Sequence, residues 1–214
     1  MRSLTRLAVA ALAVWAPLVF AGNQKYEPLS TSVQAALHQA ISDQATPFLA
    51  FGSVEEARAW LNAMSKKFER RMPDQRAREE FLVTVHYEAR RAGLDPQLVL
   101  GLIQVESNFR KYSVSSAGAR GFMQVMPFWT RTIGTSEHNL FHLRTNLRYG
   151  CVILRFYLDI ENGDLFRALG RYNGSLGRPE YPTAVFEAMN RNWLYTQASA
   201  PKVGALPPSA IAVR

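Results

Sequence analysis

Residues 101–126 read GLIQVESNFRKYSVSSAGARGFMQVM, an apolar helix that runs into a carboxylate and then into a polar, glycine-bearing loop. Just upstream, Asp95 is placed to cap a helix and Pro96 suits its first position. Leu98, Val99, Leu100, Leu102, Ile103 and Val105 then make the segment apolar on nearly every side, which predicts a buried helix. Glu106 falls on the same face as Leu102 and Ile103, at the carbonyl end of that helix. Removal from water and the negative end of the helix dipole both favour the neutral carboxyl, the form a general acid needs. A glutamate near a helix end is more often solvated or a cap, and it is the loop beyond Glu106 that favours chemistry here. In it Ser107, Ser113, Ser115, Ser116, Gly118 and Gly121 bring hydroxyls and a permissive backbone, and Met123, Gln124, Met126 and Trp129 bring thioethers, an amide and an aromatic ring. That mixture suits a cleft for sugars.

The run resembles the soluble lytic transglycosylase (SLT) catalytic-domain family, which has a goose-type lysozyme-like fold. Three motifs carry the resemblance in order: Glu106-Ser107, Gly121-Phe122-Met123-Gln124 and Tyr172-Asn173, with eighteen positions from the acid to the glutamine. The resemblance implies that Glu106 is the catalytic acid/base and that Ser107, Ser115, Met123, Gln124 and Met126 bind substrate. Tyr172 and Asn173 would close the cleft from the far side, with Tyr181 as a further aromatic wall. Two departures stand out. Phe122 replaces the more usual Leu, and Arg171 and Gly174-Ser175 flank the Tyr-Asn pair where Ala and Ala-Gly are commoner.

The remaining patterns are helical, and the fold class expected is all-α: a lysozyme-like transglycosylase domain over residues 74–195 with a helical N-terminal extension over 22–73. A helix is expected over Val33 to Ser42. The capping box Ser53-Val54-Glu55-Glu56 opens another towards Phe68, and Gln75 to Arg91 form a third, stopped by Gly93. Beyond the loop, a short helix follows Pro127 and a long one spans Thr145 to Glu161. Asp164 caps a helix over Leu165 to Tyr172, and after a loop through Gly177, Pro179, Tyr181 and Pro182 the last helix covers Thr183 to Tyr195. The glycine-serine loop has room for a short hairpin at most. Residues 196–214, rich in Ala and Pro, offer little apolar periodicity and are expected to be a flexible tail.

Arg2 and Arg6 before the apolar run Leu7 to Phe20, with Val19 and Ala21 in the positions that a signal peptidase reads, make residues 1–21 a signal peptide by pattern. The run is short of the roughly 20 residues that span a bilayer. An exported, soluble periplasmic protein is therefore expected, with no transmembrane anchor after cleavage. Losing the two arginines of this segment takes the formal charge from +8 to +6. Export argues against nucleic acid as the partner of a basic surface, whereas peptidoglycan carries free carboxylates on its peptide stems. The single cysteine, Cys151, excludes an internal disulfide and falls on an apolar helical stripe, which makes it a core filler. His138 and His142 stand four apart but lack a third ligand, so they read as exposed loop histidines, and neither a metal nor a cofactor is expected.

The resemblance implies cleavage of the β-1,4 bond between N-acetylmuramic acid and N-acetylglucosamine in peptidoglycan glycan strands, with a 1,6-anhydro product. The residues alone are also compatible with a hydrolytic muramidase of the same fold, or with a non-catalytic peptidoglycan-binding module. Among the acids between Asp95 and Tyr195, Glu137 and Glu180 in loops are open as a second carboxylate.

Overall fold

The computed structural model describes residues 24–42 and 45–196. The signal peptide expected over residues 1–21 and all but the first residue of the expected tail lie outside them. Eight α-helices are described: α1 (Thr31–Ile41), α2 (Val54–Phe68), α3 (Gln75–Arg91), α4 (Pro96–Ser107), α5 (Phe128–Ile133), α6 (Leu143–Ile160), α7 (Leu165–Asn173) and α8 (Glu180–Ala188), which continues into a π-helical turn, Met189–Trp193. Among the described residues there is no strand. The glycine-serine loop holds only isolated antiparallel bridges, Val114 to Arg120 and Arg120 to Val125.

Local chemistry sets the helix starts. The Ser53 hydroxyl accepts from Glu56 N at 3.1 Å, satisfying one orphan donor, and the Glu56 carboxylate in turn accepts from Gly52 N at 3.2 Å, one residue ahead of the cap. Asp74, Asp95 and Asp164 accept from Ala77 N, Gln97 N and Arg167 N at the heads of α3, α4 and α7. The last helix departs from expectation. It begins at Glu180, three residues early, because Pro182 sits in the first turn, where its missing N–H would have no intrahelical partner. Tyr181 is therefore a first-turn helical residue and not part of a loop.

Among the described residues a single apolar cluster runs through the helices and includes residues of the extension. Leu37, Ile41, Trp60, Met64 and Phe68 are buried together with Leu82, Val99, Leu102, Ile103, Leu147 and Leu154. Cys151 is fully buried in this cluster, and burial pushes its thiol well above the usual range. Glu88 on α3 is the cluster's buried charge. Its carboxylate pairs with Arg91 at 3.2 Å, Arg144 at 3.3 Å and Arg148 at 2.9 Å. Arg148 also donates to Ile41 O at 3.1 Å, so the same network ties α1 to α3 and α6. An uncompensated Glu88 would be costly in this setting, and three guanidinium groups offset that cost.

Close approach of α4 and α8 positions the site. A Cβ at Gly101 would lie 2.9 Å from both Met189 Cβ and Val185 O, so only glycine lets α8 lie this near to the helix that carries Glu106. The π-turn that ends α8 brings Trp193 inward, where its indole N–H donates to Gln104 Oε1 at 2.8 Å.

Candidate active site

Glu106 occupies the last turn of α4 and is 2% exposed. The helix ends abruptly behind it, with Asn108 and Phe109 both in left-handed backbone (φ 46° and 63°). Left-handed backbone is unfavourable for a bulky side chain. Phe109 is held there by an aromatic cluster: its ring centroid lies 4.6 Å from Phe68, 5.2 Å from Trp193 and 6.0 Å from Phe81. Packing energy thus fixes where the chain turns away from the carboxyl. Gln124 (φ 48°) adds a third left-handed residue at the same site.

Across from Glu106, the fully buried Tyr181 donates its hydroxyl hydrogen to Glu106 Oε1 at 2.6 Å. Burial first, and the neighbouring Glu106 second, push the Tyr181 phenol well above its ordinary value, so it remains a donor at any physiological pH. Tyr172 is raised for the same two leading causes and donates to Met123 O at 2.8 Å. A carboxyl, two permanently protonated phenols and the Met-Gln loop thus meet at one place.

The loop is held from behind. Asn146 on α6, fully buried, accepts from Met123 N and donates to Arg120 O and Leu140 O, each at 2.8 Å. Gly121, with φ 77°, passes so close that a Cβ there would lie 2.4 Å from Asn146 Nδ2. The Gln124 side chain donates to Gly121 O at 2.8 Å and Ser113 O at 3.1 Å, and Ser107 donates to Phe122 O at 2.7 Å and Ile103 O at 3.2 Å. Met123 is fully buried, its sulfur packed where a Cβ on Gly150 would otherwise go. Ser107, Met123 and Gln124 therefore face inward and are engaged with protein groups. Ser115 and Met126 are half-buried on the loop's outer part, with the Ser115 hydroxyl accepting from Ala119 N at 3.1 Å. Asn173 closes α7; its Nδ2 is buried and has no hydrogen-bond partner among the described residues.

The geometry assembles the acid, the Met-Gln loop and the Tyr-Asn helix end that the sequence motifs pointed to, and a family model agrees. The model of the Transglycosylase SLT domain matches residues 84–184. Residues 84–184 are a transglycosylase SLT domain. The SLT match covers Glu106, the loop and both tyrosines, and begins inside α3. Among curated proteins, a "Transglycosylase" of Enterobacteria phage PRD1 is 34% identical over 104 residues, 45% of this chain and 38% of the phage protein. A "Membrane-bound lytic murein transglycosylase C" of Actinobacillus pleuropneumoniae serotype 5b (strain L20) is 49% identical over 59 residues, 28% of this chain and 15% of its own length. The protein of the same name from Haemophilus influenzae (strain PittEE) is 46% identical over 52 residues, 24% of this chain and 14% of its own. The chain thus matches well under half the length of these relatives, and the likeness is concentrated in the SLT segment.

Two contributors to the site escaped sequence reasoning, Asn146 and the hydrogen bond from Tyr181 to Glu106, as did the contact that Gln24 makes with the Met-Gln loop. A polar residue beside the apolar stripe of a long helix was a usable signal for Asn146; Gln24 had none. Gln24 is 3% exposed and lies against the Met-Gln loop, donating to Gln124 O at 3.4 Å and accepting from Met126 N at 3.3 Å and Trp129 Nε1 at 3.1 Å. The two histidines differ from expectation in one respect. His142 is exposed, but His138 is half-buried and bonded through Nδ1 to the Tyr149 hydroxyl at 2.7 Å. Among the described residues no cluster of His, Cys, Asp or Glu is arranged to hold a metal ion, and no helix is long and apolar enough to cross a membrane.

Proposed function

We propose that this chain is a periplasmic lytic transglycosylase that cleaves the β-1,4 bond between N-acetylmuramic acid and N-acetylglucosamine in peptidoglycan. Glu106 acts as its only acid/base. The observation that carries this reading is a buried carboxyl, oriented by the Tyr181 hydroxyl at 2.6 Å, inside an SLT domain. Burial against the apolar face of α4 keeps bulk water from the carboxyl, and the Tyr181 bond fixes its rotation. Glu106 gives its proton to the glycosidic oxygen as the bond to the muramic acid C1 breaks. The substrate's own N-acetyl oxygen supports the electron-poor C1. As a carboxylate, Glu106 then takes the proton from the sugar's 6-hydroxyl, whose oxygen closes on C1. The product is a 1,6-anhydro ring, the acid is regenerated, and no water is consumed.

Dispositions of the other acids support a one-carboxylate route. Hydrolytic glycosidases need a second carboxyl at roughly 5 Å, or at roughly 6.5 to 9.5 Å, from the first. Asp164 caps α7, Glu161 pairs with Arg167 and Arg171, Glu187 pairs with Arg191, and Asp159 pairs with Arg155. Glu137 and Glu180 are exposed, whereas Glu106 is buried. In this reading Ser115, Met126 and Asn173 touch the sugars, and Ser107, Met123, Gln124 and Tyr172 hold the cleft's shape.

The test is Glu106→Gln, which keeps shape and removes the transferable proton. Folding should survive while turnover of purified sacculi falls by about a hundred- to ten-thousand-fold. Near wild-type turnover in that variant would end the proposal.

A further inference from the structure

The chain ahead of α1 runs from the Met-Gln loop to α7, the helix that bears Tyr172 and Asn173. From Gln24 to Ser30 it has no regular structure and is mostly exposed, yet its first described side chain is buried to 3%. That side chain, Gln24, is inserted against the Met-Gln loop and beside the Tyr172 hydroxyl. Two residues on, the Tyr26 ring meets Phe128 edge-on, with centroids 5.6 Å apart. Glu27 then receives two hydrogen bonds from Arg171, at 3.0 and 3.3 Å. The segment therefore touches both walls: the loop on one side and the helix bearing Tyr172 and Asn173 on the other. Arg171 is also where this sequence departs from the small residue usual before the Tyr-Asn pair, and its partners here are Glu27 and Glu161.

The chemistry of the Gln24 pocket indicates what it is made to hold. Two N–H groups, from Met126 and the Trp129 indole, converge on one oxygen, and a backbone carbonyl, Gln124 O, accepts one N–H. These partners fix which end of the amide is which. A carbonyl oxygen together with an N–H is also what the acetamide group of an N-acetylated sugar presents. We propose that the segment from Gln24 to Glu27 is an autoinhibitory strap, in which the Gln24 carboxamide occupies an acetamide subsite and the Glu27–Arg171 pair clips the strap across the cleft. A glycan strand binds only when the strap swings out. This inference rests on the glycan-cleaving reading of the site, and it adds a competing state that the chain itself supplies.

Competition of this kind divides the apparent affinity for ligand by the fraction of molecules whose cleft is open. The test uses the full chain from residue 22 and two variants. Gln24→Ala removes the plug; Glu27→Lys changes an exposed side chain, opposes Arg171 and leaves the subsite untouched. Each is titrated calorimetrically with the N-acetylglucosamine tetramer, assayed on sacculi and melted to confirm folding. Both variants should bind the tetramer roughly tenfold more tightly than the wild type, the scale expected when two or three ordinary hydrogen bonds and one exposed ion pair have held the strap closed. Their gain on sacculi should come through KM with kcat unchanged. If both fold and neither binds more tightly, the strap is overturned, even where wild-type turnover upholds the cleavage reading. Weaker binding in Gln24→Ala alone would make Gln24 a substrate ligand and overturn it equally, and no tetramer binding by any form would remove the acetamide subsite. Tighter binding without turnover in any form would uphold the strap and remove the cleavage reading.

Discussion

Replacing Asn146 by alanine removes the α6 side chain that holds the Met-Gln loop from behind. Three hydrogen bonds of 2.8 Å are lost: those to Met123 N and Leu140 O are buried, and that to Arg120 O is partly buried. A buried polar group left unsatisfied costs about 1–3 kcal/mol, so Met123 N and Leu140 O, with a smaller share from Arg120 O, which still accepts from Val125 N, amount to about 3–5 kcal/mol. In a domain of this size each kcal/mol lowers Tm by about 2–4 °C, which predicts a fall of about 10 °C. Asn146→Asp keeps the acceptor for Met123 N but turns the two donors into a charged oxygen facing carbonyls, and should be no better than alanine. Calorimetric melts of the three proteins measure this directly. Sacculus digestion well below the melting temperatures should show kcat reduced several-fold, because the loop that receives the Tyr172 hydroxyl is no longer fixed. An Asn146→Ala protein that melts within about 2 °C of the wild type would show that the three bonds have no net worth and that the loop is held by something else.

Gly101→Val would place methyl groups where Met189 Cβ and Val185 O already stand within 2.9 Å of a single added carbon. The clash should cost about 1–3 kcal/mol and, by prising α8 from α4, separate Tyr181 from Glu106; unchanged melting and turnover would contradict this. Burial of His86, stacked on Phe51 at 4.7 Å and edge-on to Trp60 at 4.9 Å, holds its imidazole down at about 4, with Arg90 contributing less. The unfolded chain therefore takes up a proton near pH 6.5 that the folded one refuses. The resulting stability is complete above that pH and is lost as pH falls towards about 4, on the order of 2 kcal/mol after allowance for screening. His86→Phe should flatten that acid-side decline in denaturant titrations, and an equal decline in both proteins would exclude His86 as its source.

What the sequence disclosed was carried by local chemistry. Asp74, Asp95 and Asp164 announce their helices because a capping carboxylate acts within three residues of itself, and the acid at the end of an apolar helix declares its burial by its own neighbours. What stayed hidden depends on contacts between distant segments. Asn146 serves the backbone of a loop more than twenty residues earlier, and backbone atoms leave no mark on sequence. Gln24 is an amide in an irregular lead-in whose partners lie about a hundred residues away. Pro182 misplaced the start of α8 because a proline reads as a break, although in a first turn it removes no hydrogen bond. The approach of Arg144 and Arg148 to Glu88 was likewise invisible, since only the packing of α3 on α6 brings them to the local Glu88–Arg91 pair.

In the proposed reaction the glycosidic bond opens by internal ring closure, with one carboxyl and no water. Digesting purified sacculi with the mature protein in heavy-oxygen water, followed by mass spectrometry of the fragments, tests it directly. Unlabelled muropeptides ending in 1,6-anhydro-muramic acid are the expected product. Reducing ends carrying the heavy oxygen as the main product would contradict it, making water the nucleophile and Glu137 or Glu180 the base to be sought.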